Sequence, residues 1–268
     1  MSRLKEWAAI TLILLLAAVL RLWALGEVPP GLAHDEVANW LIARDVLAGR
    51  HAIYFTAAYG HEPLYQYAQA ATVALFGDHW LGLRYPSVAF GLLGLAITYV
   101  LTRRLFGTSV ALLTMGWLAT SFWPLFYARV AVRAITLPFT AAIAAYFLLR
   151  ATNQLTNQPT RPQATNWLLA GIFLGLSLYT YMAARILPII FVTFLVYLYL
   201  VRASTPPPWP HVLAFLLTAV LVAAPITTWL AIHPDAEYRI TEVREPLNRL
   251  LAGDPSLVWQ NFIANLKF

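Results

Sequence analysis

The chain contains no cysteine, which excludes disulfide frameworks, thiolate metal centres and cysteine nucleophiles. Charge is scarce as well. Only 11% of residues are Asp, Glu, Lys or Arg, against about 25% in soluble domains. No phosphate-binding P-loop, dinucleotide fingerprint or HExxH motif occurs, so ATP-driven chemistry and zincin-type hydrolysis lack support. What the chain has in excess is apolar surface: 60% of its residues are hydrophobic, with ten Trp and thirteen Tyr. That is a membrane composition, and the aromatics suit interfacial belts. The net charge of +6 is spread as singles and pairs between apolar runs. Such spacing sets membrane topology and does not form a nucleic-acid surface.

Apolar runs fall at 7–25, 63–76, 80–101, 108–128, 134–149, 166–184, 186–201 and 211–232. The first exceeds a signal-peptide core and no Ala-x-Ala site follows it, so it reads as an uncleaved span. The 63–76 run is short and carries Gln66 and Gln69, which predicts an interfacial or re-entrant helix. The remaining runs give an all-α integral membrane protein, a polytopic helical bundle of about seven spans with a helical first extracytoplasmic loop. With Arg3 and Lys5 inside, this count puts Arg103, Arg104, Arg150, Arg161 and Arg202 in the cytoplasm, as the positive-inside bias requires. It also leaves Glu6 as the only inner acid, with the other eleven outside.

Residues 1–232 are read as the membrane module. Its outer loop, 26–79, holds short helices at 36–48 and 63–76. Residues 151–165 form a polar inner linker. Residues 233–268 are an extracytoplasmic loop or the start of a further part, with a mixed-charge helix around 236–251. The ending at Asn261–Phe268 reads like the beginning of another helix, as in a truncated chain.

The candidate site begins at His34-Asp35-Glu36. A carboxylate pair just outside the first span is expensive near lipid and is kept there for chemistry or binding. Asp35 is equally placed to be the N-cap of a helix starting at Glu36. Arg129, Arg133 and Arg185 stand at outer ends of spans, against the positive-inside trend. An Arg there can snorkel to the interface, but three on the acidic side point to an anion site. Arg129 and Arg133 are four apart, so on a helix they share a face and can hold one phosphate. His34 and His61 stand beside acids, yet their spacing with Asp35 fits no standard metal-ligand pattern.

Several stretches, in order, resemble the GT-C superfamily of lipid-linked-sugar glycosyltransferases, specifically its protein-mannosyltransferase and aminoarabinose-transferase-like group. They are the Asp35-Glu36 loop, His61-Glu62-Pro63-Leu64-Tyr65, Leu83-Arg84-Tyr85-Pro86-Ser87, Arg103-Arg104-Leu105-Phe106-Gly107, Gly175–Tyr181 with Arg185, and His233-Pro234-Asp235. The resemblance implies transfer of a sugar from a polyprenyl-phosphate donor to a lipid, glycan or protein acceptor. Asp35 would be the catalytic carboxylate, with Glu36 beside it orienting a partner or the helix N-terminus. His61, Glu62, Arg129, Arg133, Tyr181 and Arg185 would contact substrate. Guanidinium groups or a divalent cation such as Mg or Mn suit the departing phosphate; no cofactor is fixed by the motifs. The stretch after Arg133 departs from the group's pattern in lacking a second acid. The expected location is a prokaryotic plasma membrane with the site facing outward. Two other readings fit the same features: a lipid-phosphate transporter or flippase, and a non-catalytic membrane subunit.

Overall fold

A computed structural model describes residues 2–152, 164–201 and 206–266. Among the described residues there are no strands, and twelve α-helices follow one another: α1 (Arg3–Leu22), α2 (His34–Leu47), α3 (Pro63–Phe76), α4 (Trp80–Phe106), α5 (Thr108–Thr120), α6 (Phe122–Tyr127), α7 (Thr136–Ala151), α8 (Ala164–Ser177), α9 (Leu187–Val201), α10 (Trp209–Ile232), α11 (Tyr238–Leu251) and α12 (Ser256–Leu266). Four helical stretches are long and apolar enough to cross a bilayer: Trp80–Phe106, Arg133–Ala151, Met182–Val201 and Trp209–Ile232. The expected count of seven adds α1, the α5–α6 stretch and α8 to these four. The inner connectors carrying Arg161 and Arg202 lie outside the described residues.

The short helices are punctuated as the sequence suggests. Pro63 opens α3 at a position where no backbone N–H is needed, and Gly77 closes it at φ +93°. The 108–128 run does not form one helix. Ser121 adopts an extended conformation, and α6 restarts at Phe122.

Two packing units make the bundle. In the first, α1 lies against α4 and α5, with Ala17, Leu95 and Ala119 in its core. Glu6 on α1 pairs with Arg103 on α4 at 2.5 Å, so these two helices are antiparallel and the basic end of α4 meets the start of the chain. In the second, Trp167, Leu174, Phe191, Phe215 and Leu148 pack α7 to α10 together. Here α8 and α10 approach closely because Gly171 and Gly175 face α10; a Cβ at either would stand 2.5 Å from the Phe215 carbonyl or 2.8 Å from that of Ala219. Small residues at such spacing let membrane helices touch backbone to backbone. At the opposite end from Arg103, α2 and α3 form a cap with its own core of Ile42, Ala43, Val46, Phe55 and Ala70.

Candidate functional site

The cap is held by one buried ion pair. Glu36 Oε1 accepts from Arg84 Nε at 2.9 Å and from the Ala131 backbone N–H at 2.9 Å. Its Oε2 accepts from Arg84 Nη2 at 3.1 Å and from Ala33 N–H at 3.0 Å. The Arg84 fork also donates to the carbonyls of Leu25, Pro29 and Gly31. One carboxylate thus fixes the first turn of α2, the α6–α7 loop and the start of α4. Its acceptor capacity is saturated. Glu36, expected beside Asp35 to orient a partner or the helix N-terminus, holds both Arg84 and the Ala33 N–H, and a carboxylate with all its lone pairs engaged has none free for a substrate proton.

Asp35 is not the N-cap; α2 begins at His34, two residues earlier than expected, with Ala33 as its cap. Asp35 therefore sits inside the first turn, where the positive end of the helix dipole favours a negative charge. Its side chain is exposed and lies 3.6 Å from His34 Nδ1. Of the two adjacent acids, one is locked and the other is open to an incoming group.

The three arginines do not share one pocket. Arg129 and Arg133 lie on no common helix: the chain between Ala128 and Val132 is a loop, and Arg133 begins a 3-10 turn, Arg133–Ile135. Arg129 turns back to the end of α1 and donates to the carbonyls of Trp23 at 2.7 Å and Val28 at 2.8 Å, and to that of Leu20. It satisfies the unpaired carbonyls of a helix terminus. Arg133 instead faces Glu62, with Nε and Oε2 2.9 Å apart, and lies 5.5 Å from the Tyr181 ring. Arg185 pairs with Glu237, which follows α10. The expected trio separates: Arg129 clamps the end of α1, and Arg133 and Arg185 each face a carboxylate.

Arg133 belongs to a buried cluster, and Arg185, partly exposed, reaches its edge through Glu237; of the cluster's members the sequence singled out Glu62 and Arg133 but not Tyr54 or Glu237. Tyr54, Gly60, Glu62, Arg133 and Glu237 line a small enclosed space. Gly60 has φ +93°, and a Cβ there would stand 2.1 Å from the Tyr54 hydroxyl, so only glycine lets the ring in. Burial raises the Tyr54 hydroxyl pKa to about 12, with the charges of Glu62 and Glu237 adding to the rise and Arg185 and Arg133 opposing it. Burial likewise pushes the Glu62 carboxyl above its ordinary range, against the pull of Arg133. Glu62 Oε2 and Arg133 Nε are close, yet neither has an aligned hydrogen-bond partner among the described residues. The pair therefore keeps unspent hydrogen-bonding capacity. His61 is buried beside it and contacts the Ala57 carbonyl through Nδ1 at 3.1 Å.

The helix order, the charged cap at one end and the apolar bundle beneath it define a polytopic helical membrane protein. The chain belongs to the dolichyl-phosphate-mannose-protein mannosyltransferase family, whose pattern matches residues 60–229. Its fold is similar to the Archaeoglobus fulgidus oligosaccharyltransferase in its apo form, at 18% identity and a TM-score of 0.64 over 84% of this chain and 29% of that one. It is also similar to ArnT from Cupriavidus metallidurans bound to undecaprenyl phosphate, at 16% identity and TM-score 0.63, covering 90% and 43% of the two chains. A third likeness is to the archaeal oligosaccharyltransferase AglB from Archaeoglobus fulgidus with an inhibitory peptide and a dolichol-phosphate, at 17% identity and TM-score 0.59, covering 98% and 38%. The chain spans less than half the length of each of these structures. No curated protein matches it.

Proposed function

We propose that the chain carries the membrane part of a glycosyltransferase that moves a sugar from a polyprenyl-phosphate donor to an acceptor hydroxyl on the extracytoplasmic face. The observation that carries this reading is the division of labour between the two adjacent acids: Glu36 is saturated and buried, and Asp35 is exposed beside it. Asp35 acts as general base. It takes the acceptor proton as the acceptor oxygen bonds to the anomeric carbon, and the bond from that carbon to the donor phosphate oxygen breaks. Arg133 and Arg185 receive the phosphate charge that develops. Each already faces a carboxylate, Glu62 and Glu237, so the donor phosphate takes over a place now held by an acid.

The family match and the two lipid-phosphate-bound neighbours support this donor class; the acceptor and the sugar are left open. Among the described residues no three His, Asp or Glu side chains converge to cage a divalent cation. The test is transfer of radiolabelled sugar from a synthetic polyprenyl-phosphate donor by membranes carrying the full chain. Transfer above that of membranes without the chain supports the reading. Donor binding without turnover would favour a lipid-phosphate carrier.

A further inference from the structure

A second feature lies on the other side of the Arg133–Ile135 turn. Arg21, one residue from the end of α1, is 1% exposed. Its Nη1 donates to the carbonyls of Ala17 and Ala119, but its Nε has no partner, and no carboxylate pairs with it among the described residues. A guanidinium stays charged in a protein, and an ionisable residue at membrane depth is kept where it meets a partner.

Arg21 lines a cavity of about 440 Å³ between α1, α4, α5, α6 and the start of α7. The other walls are apolar and include Phe90, Gly91, Gly94, Trp123 and Tyr127. Gly91 lies between the guanidinium and α6: a Cβ there would stand 2.7 Å from that of Ala128 and 3.4 Å from Arg21 Nε. Trp123 and Tyr127 are exposed at the protein surface, so the cavity borders the lipid. No residue of α2 or α3 contributes to it.

We infer that this cavity is a binding site for an anionic glycerophospholipid, one acyl chain lying against the apolar walls and a headgroup phosphate oxygen accepting from Arg21. An unpaired buried cation at the head of an apolar, membrane-bordering cavity is complementary in both charge and polarity to such a lipid. A polyprenyl-phosphate donor offers the same chemistry, but with its phosphate at Arg21 it would sit in a cavity to which neither helix of the cap contributes. The site is thus separate from the proposed transfer site and does not depend on it.

The experiment is native mass spectrometry of the detergent-purified full chain, with phosphatidylglycerol, phosphatidylcholine of the same acyl chains, and undecaprenyl phosphate offered in separate arms. The wild type is expected to retain one phosphatidylglycerol with roughly tenfold preference over phosphatidylcholine, whose phosphate is the same but whose choline ammonium cancels the net charge that the unpaired guanidinium attracts. Arg21→Gln is expected to lose that preference. Gly94→Leu, at a position where an added Cβ meets nothing within 4 Å, fills the cavity and is expected to retain neither glycerophospholipid. Equal retention of both glycerophospholipids by the wild type overturns the inference, as does an unchanged preference in Gly94→Leu, which reads out even if Arg21→Gln does not fold. Retention of undecaprenyl phosphate in place of phosphatidylglycerol also overturns it, by assigning the cavity to the donor.

Discussion

Arg84 and Glu36 form an ion pair with two hydrogen bonds, of 2.9 and 3.1 Å, in which each side chain is 1% exposed. Forty-eight residues separate them, and between them they gather the α1–α2 connection, the first turn of α2 and the α6–α7 loop. Buried pairs of this kind rarely add net stability, but breaking one leaves the survivor uncompensated. Arg84→Leu and Glu36→Leu should each lower stability by about 3–5 kcal/mol. The double variant Arg84→Leu/Glu36→Leu should recover part of that loss. Thermal unfolding in detergent reads both, and single variants that unfold like the wild type would contradict the role given to the pair.

Glu62 supplies a pH test. Burial raises its folded pKa above the ordinary 4.5, so the fold favours the neutral carboxyl. Its stabilising contribution is present below that ordinary value and is lost as pH rises through the raised one. Relative to Glu62→Gln, the wild type should therefore lose stability as pH climbs from about 4.5 upward. The check is the unfolding midpoint of both proteins across pH. A gap that opens instead on acidification would mean that Arg133, and not desolvation, governs the carboxyl.

Gly60 tests the packing of Tyr54. With φ +93° and a Cβ position 2.1 Å from the Tyr54 hydroxyl, Gly60→Ala combines backbone strain with a clash, and a loss of about 1–3 kcal/mol is expected. Adding Tyr54→Phe removes the clashing oxygen but leaves the ring carbon Cζ at 2.9 Å, and should return part of the steric share while the strain remains. Unfolding midpoints of the two variants separate these contributions.

The Arg185–Glu237 pair tests how the donor is received. If the donor phosphate replaces the Glu237 carboxylate, Glu237→Gln removes a competitor for the guanidinium and should lower the donor KM severalfold with kcat little changed. Arg185→Gln should raise it. Steady-state kinetics in membranes measures the split, and a fall in kcat alone in Glu237→Gln would place that acid in the chemistry.

Much of the architecture was legible because local punctuation governs it. Pro63 and Gly77 bracket α3 at the bounds the apolar run suggested, and the helix expected at 36–48 appears as α2, starting at His34. Long-range partners were not legible. Nothing near Arg84 in the sequence points to the carbonyls of residues 25, 29 and 31, because those contacts exist only once α1 and α4 lie antiparallel. Arg129 and Arg133 misled for a related reason. Their spacing fits a helix face, but Ser121 and the 128–132 loop break the run, so one side chain turns to α1 and the other to Glu62. Glu62, Arg133 and Arg185 were on the page as candidates, whereas Tyr54 and Glu237, which complete the cluster, come from the outer loop and from the end of α10.

The most direct measurement is sugar transfer from a polyprenyl-phosphate donor by Asp35→Asn beside the wild type. The exposed, uncommitted carboxylate of the first turn of α2 is assigned the acceptor proton, and removing such a general base should cost about 10²–10⁴ in rate, with insertion and thermal stability unchanged. Transfer by Asp35→Asn at the wild-type rate would contradict the account.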